Sequence, residues 1–222
     1  MHGQEIDRPC YPELALVLLT GAGHVALELS ADGMRGAADT LDRPQQIYNL
    51  VAAILWGCYV LFRMVRTPSI TRVWGFRRAN FVSALTVAVL FAVPACAVMI
   101  WYGVWKGNWP IPATFWVLLV VYPVWGLGQQ FALQALITKN LRGMVSRVPM
   151  RAVAAGVVFS VSHFPNFLLM ALTLPAGIAF TWIFEKKRNI WAIGLMHGLM
   201  GALAYYLVLG KDPGAEIVGF LR

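Results

Sequence analysis

A succession of long apolar stretches, separated by short polar segments, constrains the fold of this chain more than any other feature. A helix needs about 20 mostly apolar residues to cross roughly 30 Å of hydrocarbon. Because lipid cannot hydrogen-bond an unpaired backbone, such stretches must fold as helices. We therefore predict an all-α fold, a polytopic transmembrane helix bundle of about seven helices. The seven stretches are residues 12–31, 46–64, 79–104, 112–138, 149–163, 166–184 and 189–209.

The composition supports the same class. Of the 222 residues, 59% are hydrophobic and only 13% are charged, and the mean hydropathy is +0.65. These values exclude an ordinary soluble domain. The net charge of +8 comes from short basic clusters between apolar runs, so we interpret these as topology determinants and expect lipid, not nucleic acid, as the surrounding partner. The three cysteines are far apart, and we expect no disulfide, metal or cofactor.

The basic residues also predict an orientation. With seven helices, 13 of the 18 Lys and Arg residues fall on the side of the N-terminus. This bias places the N-terminus in the cytoplasm and the C-terminus outside. We expect the membrane to be the inner or cell membrane of a prokaryote. Residues 1–8 lack the order of a cleavable signal, so the first apolar run should remain as an anchor. We divide the chain into three N-terminal helices (1–111), a core (112–209) and a tail (210–222).

A triplet of glutamines interrupts the fourth apolar stretch. Gln129, Gln130 and Gln134 lie within six residues, and their amides are costly to bury without hydrogen-bond partners. They should therefore face the interior of the bundle. The candidate partners are the two histidines in the C-terminal half of the chain, His163 and His197.

These polar residues are predicted to lie at similar depths. At 1.5 Å of rise per residue, Gln129 lies about 15 Å, His197 about 13.5 Å and His163 about 18 Å from the nearest basic residue. A shared intramembrane polar site near the midplane explains this agreement. The alternative is that each residue makes only an ordinary interhelical or backbone hydrogen bond. Gly194-x-x-x-Gly198 on the last helix allows close helix packing around His197.

The order of these motifs resembles the CPBP family, the CAAX-processing and bacteriocin-processing (Abi) intramembrane proteases. That family carries Glu-Glu-x-x-x-Arg, then Phe-x-x-x-His, then His-x-x-x-Asn on successive helices. Phe159-x-x-x-His163 matches the second motif and His197 the third, and the resemblance covers about residues 112–205. It implies an intramembrane endopeptidase fold and a hydrophobic or prenylated peptide as substrate. The implied catalytic positions are Gln129, Gln130, His163 and His197, and the implied supporting positions are Gln134, Phe159 and Gly201.

The first motif departs from the family pattern. Gln129 and Gln130 replace the two acids, Gln134 replaces the arginine, and Gly201 stands where the third motif has asparagine. In the family, a glutamate activates a water with help from histidine, and an amide cannot accept that proton. The loss of the arginine together with the two acids has a physical reason, because a cation buried in the membrane without its anions is energetically costly.

One other carboxylate is a candidate base. Glu28 shares a helix face with His24. Counted along the helix from Pro12, His24 lies at about 18 Å and Glu28 at about 24 Å, nearer the outer surface. A position at the membrane interface is therefore the simpler interpretation of Glu28. Two functions therefore stay open: a pseudoprotease that binds hydrophobic or lipidated segments without cleaving them, and an active endopeptidase that uses Glu28 with His163 and His197. A metal site on His163 and His197 lacks further ligands at that depth.

Overall fold

The computed structural model describes residues 8–34 and 42–220, and these residues are predominantly helical. The polar N-terminal residues 1–7, the middle of the predicted loop at 35–41 and the end of the tail at 221–222 lie outside the described residues. The helices are α1 (Tyr11–Met34), α2 (Asp42–Arg66), α3 (Ile70–Val73), α4 (Phe81–Lys106), α5 (Phe115–Phe131), α6 (Lys139–Leu141), α7 (Val148–Val161), α8 (Phe167–Lys187), α9 (Ile190–Leu203) and α10 (Pro213–Phe220). Two π-helices, Ala132–Thr138 and Ala204–Val208, follow α5 and α9 directly.

The prediction of a polytopic helix bundle is confirmed. Among the described residues, six helices are long and apolar enough to cross a membrane. The seventh predicted segment is the shorter apolar helix α7. The six candidate spans are Tyr11–Ser30, Ile47–Arg66, Phe81–Lys106, Phe115–Leu141, Phe167–Lys187 and Ile190–Val208.

Two predicted boundaries are wrong, and one is confirmed. The loop expected at 32–45 is too long, because α1 continues to Met34 and α2 begins at Asp42. The fourth helical run continues past residue 138 to Leu141, since a π-helix joins α5 to α6. The break around Pro165 is confirmed: α7 ends at Val161 and α8 begins at Phe167, as expected where proline removes a backbone donor.

The described residues divide into two compact units. The first comprises 8–34, 42–74 and 133–182, and the second comprises 75–132 and 183–220. The core of the first unit joins α1 to α7 through side chains that are each less than one-tenth exposed. These are Leu14, Leu133, Ile137, Ala155 and Phe159.

Polar contacts connect α1 and α2 along their length within the first unit. Tyr48 Oη donates to the Thr20 carbonyl at 2.7 Å, and Trp56 Nε1 donates to Thr20 Oγ1 at 3.2 Å. Helices in lipid gain little from burying apolar surface against each other, so hydrogen bonds of this kind contribute to their association. The polar side chains of this hairpin therefore hold two largely lipid-facing helices together.

In the second unit, α5 and α9 pack with their backbones almost in contact. A Cβ atom on Gly126 would lie 2.5 Å from the Gly198 nitrogen, and one on Gly198 would lie 2.5 Å from the Pro123 Cα. A Cβ on Gly194 would lie 2.8 Å from the Leu127 Cα. No larger residue fits at these three glycines unless the helices separate, so the glycines permit the close approach predicted from the Gly194-x-x-x-Gly198 spacing.

The start of α9 is held by a buried asparagine. Asn189 Oδ1 accepts a hydrogen bond from the Ala192 N–H at 3.1 Å, which caps the helix. Its Nδ2 donates to the Arg77 carbonyl at 2.6 Å and to Asn80 Oδ1 at 3.0 Å. One side chain therefore fixes the first turn of α9 to the segment before α4.

Candidate functional site

Two of the predicted site residues meet in the second unit. His197 Nε2 lies 2.8 Å from Gln129 Oε1, so the imidazole and the amide form a direct hydrogen bond. His197 is 8% exposed and Gln129 is half-buried. The pair stands on α9 and α5, directly beside the glycine contact between those helices.

This hydrogen bond determines which nitrogen of the His197 ring carries the hydrogen and which nitrogen is basic. A carbonyl oxygen can only accept, so His197 Nε2 carries a hydrogen and donates it to Gln129. In the neutral imidazole, Nδ1 is then the basic nitrogen. The adjacent Gln130 is fully buried, as predicted for a glutamine that faces the interior of the bundle.

His163 belongs to the first unit, and its ring hydrogen bond is made by Nδ1 where that of His197 is made by Nε2. Its Nδ1 donates to the Phe159 carbonyl at 2.7 Å, and the two rings make an edge contact with centroids 4.9 Å apart. Nε2 is therefore the basic nitrogen of His163, and it makes no hydrogen bond within the described part of the chain. The Phe-x-x-x-His spacing thus orients the imidazole through the backbone and the ring of Phe159.

Gln134, at the position of the family's arginine, is fully buried in the first unit. Its Nε2 donates to Thr181 Oγ1 on α8 at 3.0 Å. Gln134 lies within the π-helix Ala132–Thr138, where Thr138 Oγ1 donates to the Leu133 carbonyl at 2.8 Å. π-Helical turns are frequent at functional sites, and this one begins two residues after Gln130.

Gly201, at the place of the third motif's asparagine, lies beside an aromatic ring. A Cβ at this position would meet Tyr122 Cδ1 at 3.3 Å. A side chain at this position would therefore require a small shift of the Tyr122 ring.

The displaced-acid candidates Glu28 and His24 lie on one face of α1 and contact α2. Glu28 accepts a hydrogen bond from Gln45, and His24 Nδ1 lies 3.1 Å from Asn49 Oδ1. The predicted shared face is confirmed, since the two partners stand four residues apart on one helix. Both residues belong to the same unit as His163.

Sequence reasoning missed a buried acid, Glu13. Glu13 is 3% exposed and accepts hydrogen bonds from Tyr59, from Arg63 at 3.0 Å and from Asn140 at 3.0 Å. Lys139 Nζ lies 3.9 Å from Glu13 Oε1, the oxygen that accepts from Asn140. The only signal in the sequence is an acid at the start of an apolar run, because its partners lie 46 to 127 positions away.

Two of the basic residues counted for the orientation, Lys139 and Arg151, are buried. Lys139 is 2% exposed beside Glu13, and Arg151 is 6% exposed and donates to the Val145 and Ser146 carbonyls. A charge-counting rule does not register such local partners. No group of three or more His, Cys, Asp or Glu side chains among the described residues is placed to hold a metal ion.

A known family model matches part of the chain. Residues 110–203 match the family model described as type II CAAX prenyl endopeptidase Rce1-like. This segment is similar to the Rce1-like family. The match confirms the resemblance inferred from the motifs, and it includes the α5–α9 pair, Gln134 and His163. No curated protein and no solved structure matches the chain significantly.

The family match and the apolar helices together define the coarse identity of the molecule. The protein is an integral membrane protein, and its residues 110–203 are similar to a CAAX-type intramembrane endopeptidase. The Rce1-like segment begins before α5 and ends at Leu203, so α1 to α4 lie outside it.

Proposed function

We propose that this protein is a pseudoprotease, which binds a hydrophobic or lipidated segment in an Rce1-like scaffold without cleaving it. The observation that carries the proposal is the hydrogen bond from His197 to Gln129. It pairs an amide with the histidine of the third motif, at a position where the family has a carboxylate. Water attack on a peptide bond needs a proton acceptor, and glutamine has none near neutral pH.

The neutral composition of the motif supports binding without cleavage. Gln129 and Gln130 replace both acids, and Gln134 replaces the arginine that balances them. Gln130 and Gln134 are fully buried, and a single charged residue kept at either position would carry a large desolvation cost. The three substitutions therefore remove the catalytic charges as a set.

The ligand class follows from the membrane setting and the family. A hydrophobic or prenylated peptide segment reaches a site at this depth without leaving the bilayer. The proposed setting is the inner or cell membrane of a prokaryote, with the N-terminus in the cytoplasm and the C-terminus outside. The excess of basic residues on the N-terminal side supports that orientation.

Restoring the missing charges tests the proposal. The purified protein should bind but not cleave a prenylated peptide in nanodiscs, and Gln129→Glu with Gln134→Arg should introduce cleavage, detected by mass spectrometry of new peptide ends. The added arginine should keep the new carboxylate ionised. Gln129→Glu alone should cleave less, because burial raises the pKa of an unpaired acid.

The competing function is an active endopeptidase with a displaced base. In its favour, Glu28 and His24 belong to the same unit as His163. Cleavage by the unmodified protein that survives Gln129→Ala and Gln130→Ala but disappears with Glu28→Gln would establish this function and rule out the pseudoprotease.

A further inference from the structure

Of the two polar atoms of the Gln129 amide, only the oxygen has a hydrogen-bond partner among the described residues. Its Oε1 accepts from His197, while its Nε2 makes no hydrogen bond to any residue that the structure describes. Gln129 is half-buried and stands inside the candidate span Phe115–Leu141. An amide N–H₂ group without an acceptor in a membrane interior is costly, so a bound ligand that supplies an acceptor gains affinity.

The surrounding helices hold this amide in place. The contacts of Gly126 and Gly198 fix the backbone of α5 against that of α9. Gln129 lies one helical turn from Gly126, and His197 is adjacent to Gly198. The donor is therefore oriented before a ligand arrives, which reduces the entropy lost on binding.

We propose that Gln129 Nε2 donates a hydrogen bond to a neutral carbonyl oxygen of the ligand and thereby selects its chemistry. This inference rests on the proposed function and adds the recognised group. Ionised carboxylates are excluded, because they need a cation at this depth and the glutamines supply none. Within a helix only the last four carbonyls lack a partner, so the preferred peptide ends or unwinds beside Gln129.

Two sources can supply a carbonyl in a bilayer: a peptide backbone and the ester of a phospholipid. They differ in one controllable respect, since diether phospholipids contain no ester carbonyl. Nanodiscs made from diether lipid therefore present only the peptide carbonyl, and nanodiscs made from diester lipid present both.

The probe is a fluorescein-labelled Leu/Ala peptide with a C-terminal carboxamide and ¹³C=O labels in its last turn. Fluorescence anisotropy gives its Kd, and infrared spectroscopy gives the ¹³C=O stretching frequency. Gln129→Met removes the donor at nearly constant size. Thr86→Val, which removes an exposed hydroxyl that bonds only to its own helix in the same unit, is the control.

In diether nanodiscs, the unmodified protein should bind the peptide and lower the ¹³C=O frequency. Gln129→Met should weaken binding about fivefold to tenfold, the contribution of one hydrogen bond, and abolish the frequency shift. Thr86→Val should change neither. Gln129→Leu, which also lacks the donor and cannot ionise, should behave like Gln129→Met and provides a second variant should the first misfold.

The possible failures are distinguishable. Peptide binding that does not depend on Gln129, with no frequency shift of peptide or lipid, overturns this inference and leaves the pseudoprotease intact. A shift of ¹³C-labelled lipid ester that Gln129→Met abolishes supports the donor but assigns it to lipid. Cleavage of the peptide, or no binding by the unmodified protein, overturns the proposed function itself.

Discussion

At the residue scale, the chemistry of this protein depends on which atoms of its polar side chains are engaged. The sequence placed Gln129 and His197 at one depth, because helical rise converts position into distance. It did not indicate the direct hydrogen bond, which depends on how α5 and α9 are rotated. Glu13 was missed for a related reason: its partners are remote in sequence, and no local pattern connects them.

Asn189 should contribute measurably to stability. Asn189→Ala removes the cap of α9 and the donor to Arg77 and Asn80, and we expect a loss of about 2 kcal/mol in the free energy of unfolding. Asn189→Ser keeps a capping oxygen without burying a charge and should lose less. Denaturant unfolding in detergent measures both, and equal losses would contradict a capping role.

The carboxylate of Asp212 should make the attachment of α10 sensitive to acid. Burial raises the pKa of this carboxyl, but hydrogen bonds from Tyr206, Thr114 and two backbone N–H groups outweigh that effect and hold its pKa below the ordinary value. A lowered pKa in the folded state stabilises the attachment above the unfolded pKa of about 4, and this stabilisation is lost as the pH falls further.

Hydrogen exchange of the α10 amides reports this loss. Exchange should accelerate below about pH 4, beyond the intrinsic pH effect on an unfolded peptide. Asp212→Asn should remove the additional pH dependence. Protection of α10 that stays constant through that range in the unmodified protein would refute the role of Asp212.

At the element scale, the closest packing lies between α5 and α9. The Gly194-x-x-x-Gly198 spacing predicted a close approach on the last helix, but not that Gly126 and Pro123 on α5 form the other side. Sequence reasoning identifies a small surface on a helix, and only the packed structure identifies its partner. The π-helix after α5 was likewise not predicted, because its residues read as ordinary helix formers.

Two glycines on α5 provide a matched test of this packing. A Cβ on Gly126 would collide with the backbone of α9, whereas one on Gly128 meets nothing within 4 Å. Gly126→Ala should therefore destabilise the protein by about 1–3 kcal/mol. Gly128→Ala should be neutral or slightly stabilising, because alanine favours helix. Thermal unfolding of both variants compares them, and similar melting temperatures would contradict the close contact.

At the scale of the whole molecule, hydropathy predicted the helical class, because apolar length is set by the bilayer and is visible in the sequence. Among the described residues, six of the seven predicted segments form helices long enough to cross a membrane, and the remaining one, α7, is shorter. The boundaries around residues 32–45 and at Leu141 were less accurate, since polar residues there continue helices. Whether the protein is active could not be predicted from the first motif. Gln129, Gln130 and Gln134 stand where the resemblance implies two acids and an arginine, and amides have a different chemistry.

The orientation that we propose rests on the basic residues and on seven membrane-crossing helices, and it is testable directly. Because 13 of the 18 Lys and Arg residues fall on the N-terminal side, a reporter fused after Arg72 should be cytoplasmic and one fused after Arg222 should be outside. Alkaline phosphatase and fluorescent protein fusions distinguish the two compartments. Finding both sites on one side would invalidate the orientation.

The most direct test of the central claim is whether the unmodified protein cleaves a peptide that it binds. The protein in nanodiscs should retain a prenylated hydrophobic peptide, and mass spectrometry should find the peptide intact after prolonged incubation. Peptide cleaved in proportion to the amount of protein, and no longer cleaved by Glu28→Gln, would show an active protease and contradict this account.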